Sequence, residues 1–547
     1  MSEWWRGAVI YQIYPRSFFD AKGDGTGDLK GITEKIPYIA SLGVDGVWLS
    51  PFYKSPMKDF GYDVEDYTAV DPMFGTLEDF DAMLAEMHKH GLKLIIDLVL
   101  SHTSDRHTWF QESRKDRDNP KADWYVWVDP KPDGSPPNNW QSLFGGVAWA
   151  YDNRRGQYYM HSFLTSQPDL NVRNPQVQDA LLDVARFWLD RGVDGFRLDV
   201  ANFYMHDEQL RDNPPRTEFE PGKLYNGLYL TPCPYDRQWH IYDKSRPENL
   251  EFIERLRALT DEYDDKMMVA EIGDDDNMKT CAEYTRGNNR LHAAYNFELL
   301  GWYGEEGSAE KFRDLFIRYH SYEGGWPAWA FSNHDVIRIA SRGGVEDPEL
   351  NTARIKMLIA LLTSLYGTVF LYQGEELGLT EADVPFEKLQ DPFGIFLYPD
   401  SKGRDGCRTP IPWTGSEKNA GFSSADETWL PIPDDHRMNA VSRQENDPAS
   451  PLNFTRHFLK WRKQYPALVS GEIDFKIAKN DLLVLTRKTE EETVVAGFNL
   501  GMTEKKLDRA AEWTMLDNHG LPVRVNDNGV IELPAFGGFF ARENRSS

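Results

Sequence analysis

The sequence predicts a (β/α)8 barrel interrupted by a small inserted domain and followed by a C-terminal antiparallel β domain. Three observations carry that expectation. Eight short strand-like runs recur along residues 8–374, several of them apolar throughout, as parallel strands buried on both faces must be. Amphipathic segments of helical period separate many of them. Beyond about residue 466 the pattern changes to short alternating runs, which reads as antiparallel sheet. On periodicity alone, a doubly wound open sheet stays open as an alternative to the barrel.

The strand expectations are AVIYQIY (8–14), GVWLS (46–50), LKLIIDLVL (92–100), GFRLDV (195–200), MMVAE (267–271), LHAAYNF (291–297), AWAFSN (328–333) and TVFLYQG (368–374). LEDFDAMLAEMHKHG (77–91) and VQDALLDVARFWLDRG (177–192) are clear helical segments between them. Residues 103–169 separate the third strand from the next helix and are rich in Trp, Pro, Asn and charge. A structureless loop of that length is rare, so the segment reads as an inserted domain. A second insertion, 374–447, follows the eighth strand. The helix-like LNFTRHFLKWRKQYPAL (452–468) then leads into LLVLTRK, TVVAGFNL and GVIELPAFGGFFAR. The expected division is a barrel over 1–102 and 170–466, an inserted domain over 103–169 and a β domain over 467–547.

A chain of 547 residues exceeds what one hydrophobic core usually organises, which agrees with several domains. It carries 61 basic against 87 acidic residues, a formal net charge of −26. That excludes a nucleic acid or an anionic membrane as the expected partner, because both need a basic face. The three cysteines, Cys233, Cys281 and Cys407, are odd in number and widely spaced. No disulfide framework or zinc pattern follows from them, and a reducing compartment fits best. The N-terminal MSEWWRGAVIYQIYPRSFF lacks a basic segment followed by a long apolar run, so it does not read as a signal peptide. No stretch is apolar enough to span a membrane. The expectation is a cytoplasmic protein, monomeric or a small homo-oligomer.

Ionisable residues cluster where the expected strands end. Asp97 and His102 close the third, Arg197 and Asp199 the fourth, Glu271 the fifth, and His334 and Asp335 follow the seventh. One such residue is often just a helix cap. A ring of them at strand ends costs free energy to bury without a use, and barrel enzymes take their catalytic groups from those ends. The ring offers carboxylates, two histidines and an arginine, and no Ser or Cys nucleophile. Paired carboxylates point to glycosidic bond cleavage, one attacking the anomeric carbon and the other protonating the leaving oxygen. Arg197 and Asp199 share a strand face at i and i+2, so the guanidinium is expected to keep Asp199 ionised. Glu271 lies in apolar MMVAEIG, which is expected to hold it protonated as the acid.

These residues resemble glycoside hydrolase family 13, the α-amylase family, over nearly the whole chain. Its short regions appear in order as DLVLSH (97–102), GFRLDVANF (195–203), AEIG (270–273) and FSNHD (331–335). QPDLN (167–171), GYDVEDY (61–67) and GRDGCRTPIPW (403–413) are similar to its oligo-1,6-glucosidase and α-glucosidase branch. The resemblance implies Asp199 as nucleophile, Glu271 as acid/base and Asp335 as transition-state stabiliser. It also implies that His102, Arg197 and His334 hold the sugar, that Tyr62 stacks on it, and that Asp63 with Arg404 closes the pocket at the non-reducing end. Phe144, Phe163 and Phe297 are pocket-wall candidates, although a Phe is more often core than ligand. Val200, directly after the nucleophile, is the candidate for linkage preference, since Val there tends to accompany acceptance of α-1,6 links.

The expected activity is a retaining, exo-acting α-glucosidase on short maltose-like or isomaltose-like α-glucosides, with transglucosylation as a side activity. A dedicated sucrose isomerase or trehalose-synthase-like transferase is the near rival. A non-catalytic, transporter-associated sugar-binding protein is the rival of another class. The run DAKGDGTGD (20–28) is calcium-loop-like. It places Asp20, Asp24 and Asp28 at the first, fifth and ninth positions, Gly25 at the sharp turn and Thr26 at the backbone-carbonyl position. A structural Ca²⁺ or Mg²⁺ is expected there, with no organic cofactor. Lys22 stands where an Asn or Asp ligand is usual, so its ammonium is the alternative occupant.

Overall fold

The structure is a computed structural model and describes residues 3–219, 232–295, 297–302, 308–508 and 513–544. Eight parallel strands close into a barrel. In chain order, with the helices that separate them, they are β1 (Val9–Ile13), α1 (Leu29–Leu42), β2 (Gly46–Leu49), α2 (Leu77–Lys89), β3 (Lys93–Leu98) and α3 (Pro175–Asp190). Then follow β4 (Gly195–Leu198), α4 (Asn249–Thr260), β5 (Met267–Glu271), α5 (Asn277–Thr285), β6 (Ala293–Tyr295), α6 (Ser308–Ser321), β7 (Trp326–Ala330), α7 (Pro348–Ser364), β8 (Thr368–Tyr372) and α8 (Pro451–Arg462). Each strand pairs in parallel with the next, and β8 pairs back onto β1 through Val9 and Val369. The open-sheet alternative is thereby excluded.

All eight expected strands are present, with shifted ends. The sixth is shorter than 291–297, a range that includes Asn296, which lies outside the described residues. The seventh begins two residues earlier than expected, at Trp326–Pro327. Periodicity discounts a proline because it cannot donate to a ladder. Here Pro327 nonetheless holds register opposite Ala294, and Phe331–Asn333 lie beyond the strand. At Gly195 the chain needs glycine, because φ is +150° and a Cβ would sit 1.9 Å from the Met267 carbonyl oxygen on β5.

Several helices start on side-chain caps. Asp28, Thr76, Asn174 and Asp347 cap α1, α2, α3 and α7, and Thr76 with Asp79 forms a capping box. Between β3 and α3 a three-stranded antiparallel sheet is built from Trp127–Val128, Gln157–Met160 and Trp149–Asp152. After α8 a five-stranded sheet runs from Glu472 to Glu543. That sheet is tied to the barrel by the buried Arg487, which donates to the Ser364 and Leu365 carbonyls at the end of α7 (both 2.7 Å). Cations suit that helix end, where carbonyls lack partners. No helix among the described residues is long and apolar enough to cross a membrane.

Candidate active site

The C-terminal ends of β3, β4 and β5 deliver three buried carboxylates to one buried guanidinium. Arg197 Nη1 lies 2.6 Å from Asp97 Oδ1 and 2.6 Å from Asp199 Oδ1, while Nη2 lies 2.6 Å from Glu271 Oε2. Trp48 Nε1 donates to Asp97 Oδ2 (2.8 Å), fixing the third carboxylate from β2. Asp97 therefore organises Arg197, and Arg197 organises the Asp199–Glu271 pair. Val200, next to the nucleophile position, has φ +36° and ψ +50°, so the strand ends in a left-handed turn. That is strained for a β-branched residue. The turn points the Val200 N–H at Glu271 Oε2 (3.3 Å).

Burial decides the protonation of this group. It pushes Glu271 up, with Arg197 opposing, and it pushes Asp97 up to about 6. At Asp199 the guanidinium of Arg197 favours the anion, as expected of the pair, but it is not the largest influence. Burial also raises Asp199 well above the ordinary range, Arg197 opposes this, and the nearby Glu271 and Asp97 add to the rise. Three carboxylates cannot all ionise around one cation in a low-dielectric site. The charge of Glu271 adds to the rise of Asp199, and both carboxyls sit on Arg197, so the two disfavour ionising together. A coupled pair holding one proton supplies one base and one acid.

The segment after β7 adds His334 and Asp335. Gln12 Nε2 lies 2.8 Å from His334 Nδ1 and is a donor, so Nδ1 accepts and Nε2 carries the proton. That proton points at Tyr62 Oη (2.6 Å), whose own hydroxyl faces Asp97 Oδ2 (3.3 Å). Tyr62 stacks on His334 with ring centroids 5.5 Å apart and planes 9° apart. Burial holds His334 well below its ordinary pKa and brings His102 down to about 4. Both rings are thus neutral hydrogen-bonding groups near pH 7. Asp335 goes the opposite way. Burial would raise it, but the positive groups around it, Arg408 and Arg404 among them, outweigh burial and keep it below the usual carboxylate range.

Arg404 lies at this site, but its partner is not the one expected. Its Nη2 reaches Asp59 Oδ1 (2.9 Å) and Asp391 Oδ1 (2.8 Å). Asp63 accepts instead from Ser55 Oγ (2.9 Å) and from the Lys58 and Asp59 backbone N–H groups (both 3.0 Å). It shapes the 58–63 loop, and the pairing with Arg404 falls to Asp59. The sequence held no means of separating the two aspartates, four residues apart in one turn-rich segment. Among the aromatic candidates, Phe144 lies beneath the Arg404 guanidinium (5.0 Å) and Phe163 beside His102 (5.1 Å). Phe297 packs beside Tyr295 and its ring edge lies over Gly273, two residues past Glu271. Sequence reasoning left Asp59, Asp391, Arg408, Trp48, Gln12 and Tyr295 unassigned. Only Arg408 carried a signal, as the second arginine of GRDGCRTPIPW.

The 20–28 loop turns its carboxylates largely onto its own backbone. Among the described residues no three Asp, Glu, His or Cys side chains are grouped as a metal would require. Asp20 accepts from the Gly23 and Gly25 N–H groups (both 2.7 Å) and from Ser423 Oγ (2.5 Å). Asp24 Oδ1 accepts from the Thr26 N–H (3.0 Å). Asp28 accepts from Ala21, Lys22 and Gly31 and caps α1. The Lys22 ammonium lies among backbone carbonyls, on Pro72 O (2.9 Å) and Met73 O (2.7 Å). Protein donors thus reach both oxygens of Asp20 and of Asp28.

Comparison with known proteins agrees with this geometry. The family model described as "Alpha amylase, catalytic domain" matches residues 12–471. A probable α-glucosidase of Rhizobium meliloti (strain 1021) is 54% identical over 551 residues, covering 99% of this chain and 97% of that protein. An oligo-1,6-glucosidase of Heyndrickxia coagulans is 37% identical, covering 94% and 96%. Among solved structures, that of the alpha-glucosyl transfer enzyme XgtA superposes with a TM-score of 0.94 at 52% identity over 100% of both chains.

Proposed function

The chain belongs to the α-amylase family of glycoside hydrolases, and from that premise we propose that it is a retaining α-glucosidase acting at the non-reducing end of short α-glucosides. The observation that carries the reading is the pairing of Asp199 and Glu271 on the single guanidinium of Arg197. A shared guanidinium holds the two carboxyls close together. Inverting enzymes separate theirs by roughly 6.5–9.5 Å to admit a water, and retaining enzymes do not.

In the first step Asp199 attacks the anomeric carbon as Glu271 gives its proton to the leaving oxygen, producing a covalent glucosyl ester. In the second, Glu271 takes a proton from water, which displaces Asp199 and restores the α-configuration. The neutral His102 and His334 serve as hydrogen-bonding groups for sugar hydroxyls, and Asp335 faces the developing positive charge. The Arg404–Asp59 pair closes the end of the pocket, which favours release of single glucose units from chain ends.

The likeness to a glucosyl-transfer enzyme supports interception of the ester by an alcohol, so transglucosylation accompanies hydrolysis. The buried Cys233, Cys281 and Cys407 form no disulfide, which supports a reducing, cytoplasmic setting. Its partner is the small-molecule α-glucoside, which it meets as a monomer or small homo-oligomer. The test is a panel of maltose, isomaltose, sucrose, trehalose and a longer maltooligosaccharide, followed by NMR of the first-formed product. Initial α-glucose supports the mechanism and initial β-glucose refutes it. A slow activated substrate labels Asp199, and Asp199→Asn loses nearly all turnover. A label on another carboxylate overturns the assignment of roles.

A further inference from the structure

The 403–408 turn brings two arginines to one carboxylate oxygen. Asp405–Cys407 form a single 3-10 turn, with Arg404 before it and Arg408 after it. Both guanidiniums reach Asp335 Oδ1, and their other contacts separate their work. Arg404 donates to Asp391 through its backbone N (2.7 Å), Nε (3.0 Å) and Nη2 (2.8 Å), and to Asp59 through Nη2 (2.9 Å). Its Nη1 lies 3.3 Å from Asp335. Two nearer carboxylates already balance its charge.

Arg408 is buried and its Nη2 lies 2.8 Å from Asp335 Oδ1. Among the described residues Asp335 is the one carboxylate it pairs with. Its Nε donates to the His334 carbonyl (2.6 Å), which fixes the backbone just before Asp335. Its guanidinium sits over the Tyr14 and Phe60 rings, at 5.3 and 5.4 Å, so it cannot swing away without leaving both. Asp335 needs such a hold. Its side chain is 28% exposed against 8% for Asp199 and Glu271. Among the described residues both arginine hydrogen bonds fall on Oδ1, and the near neighbour of Oδ2 is His334 Nε2 at 3.3 Å.

We propose that Arg408 is a positioning residue of the reaction, the counter-ion that fixes Asp335 through Oδ1 and keeps Oδ2 turned to the sugar, while Arg404 serves the closed end of the pocket. This role rests on the reading of Asp335 as the carboxylate that stabilises the transition state. The charged and titratable groups facing Asp335 are His334 beside it, Arg404 and Arg408 from the insertion after β8, Arg197 from β4, Glu271 from β5, and the Tyr62 and Tyr295 hydroxyls. With His334 neutral, Arg408 is the nearest cation. Its removal raises the Asp335 pKa, so activity fails at a higher pH on the acid side.

The experiment compares Arg408→Gln and Arg408→Lys with wild type on 4-nitrophenyl α-glucoside across pH 4–8, with a thermal melt of each protein. Arg408→Gln is expected to lower kcat by about 10- to 150-fold, the scale of one charge-assisted hydrogen bond, with a much smaller change in KM. Its acid limb moves to higher pH. Arg408→Lys keeps the charge, so it returns the limb toward the wild-type position and recovers part of kcat. A folded Arg408→Gln with wild-type kcat and pH profile overturns the role. So does a variant whose melting temperature falls while turnover per folded molecule and the pH profile stay unchanged. Where Arg408→Gln does not fold, an unchanged kcat in Arg408→Lys overturns it as well, because a lysine cannot span Asp335 and the His334 carbonyl together. A wild type that cleaves no α-glucoside sinks the functional reading itself. A cleaving wild type with an indifferent Arg408 sinks this role alone.

Discussion

Asp59 and Asp63 sit four residues apart, yet the structure gives them different work, and substitution can tell them apart. Asp59 Oδ1 lies 2.9 Å from Arg404 Nη2 and Oδ2 lies 3.0 Å from Gln167 Nε2. Burial raises its pKa and Arg404 opposes that rise, so the carboxylate depends on this partner. Asp59→Asn keeps the shape and removes the charge-assisted bond, worth about 1.5–3 kcal/mol. That converts to a fall in kcat/KM of about 10- to 150-fold. The fold should survive, because Arg404 keeps its three contacts with Asp391. Asp63 instead gathers three donors from its own loop, and burial lifts its pKa to about 6. Asp63→Asn forces an amide N–H toward one of those donors, so it should lower the melting temperature first. Any loss of turnover should follow from the fraction unfolded. The assay is kcat/KM on maltose and 4-nitrophenyl α-glucoside, paired with calorimetry on the same samples. The reasoning is refuted if Asp63→Asn melts like wild type but loses turnover while Asp59→Asn keeps it.

Three further outcomes are expected. Asp169 is buried and its pKa is raised to about 7, chiefly by desolvation. A raised carboxyl contributes stability that is present below about pH 4 and lost as pH rises through about 7, at most about 4 kcal/mol in all. Asp169→Asn should therefore improve in melting temperature relative to wild type between pH 5 and 8, and a pH-independent difference would count against it. EDTA should leave the melting temperature unchanged, whereas Lys22→Asn should lower it by freeing the Pro72 and Met73 carbonyls. A fall with EDTA that Ca²⁺ reverses would restore the metal. Val200→Thr should lower the isomaltose-to-maltose ratio of kcat/KM by a contact term of about 1–3 kcal/mol. An unchanged ratio with intact activity would move linkage choice to the loop after Glu271.

The barrel was legible because each strand writes itself locally, as an apolar run of the right length before a helical period. The ring of ionisable strand ends was legible for the same reason, since a strand end is a position along the chain. Pairings across the chain were not. Arg404 finds Asp59 345 residues away and Asp391 thirteen residues away, and nothing in GRDGCRTP favours either over Asp63. The calcium-loop spacing likewise fixes residue types and not what their oxygens accept. Asp28 looks like a ninth-position ligand in sequence and is a helix cap in space. Likewise, proximity of Arg197 and Asp199 in sequence predicted a lowered pKa. The outcome turned first on burial, and then on Glu271 and Asp97, which share the same guanidinium.

The charges left over after all pairing bear on how the site works. Three guanidiniums, Arg197, Arg404 and Arg408, face Asp97, Asp199, Glu271, Asp335, Asp59 and Asp391. Carboxylates outnumber cations, so even with protons shared among the buried trio the pocket keeps an excess of negative charge. A neutral sugar gains little from that field in its ground state. A glycosyl group approaching the oxocarbenium-like transition state carries positive charge at its ring carbon and oxygen. It then meets oriented carboxylates that Arg197 and Arg408 already hold in place. Water would have to reorient to supply the same stabilisation, whereas these side chains are fixed before the sugar arrives. Removing a positioning arginine should thus cost turnover more than binding, because the excess charge stays and only its aim is lost.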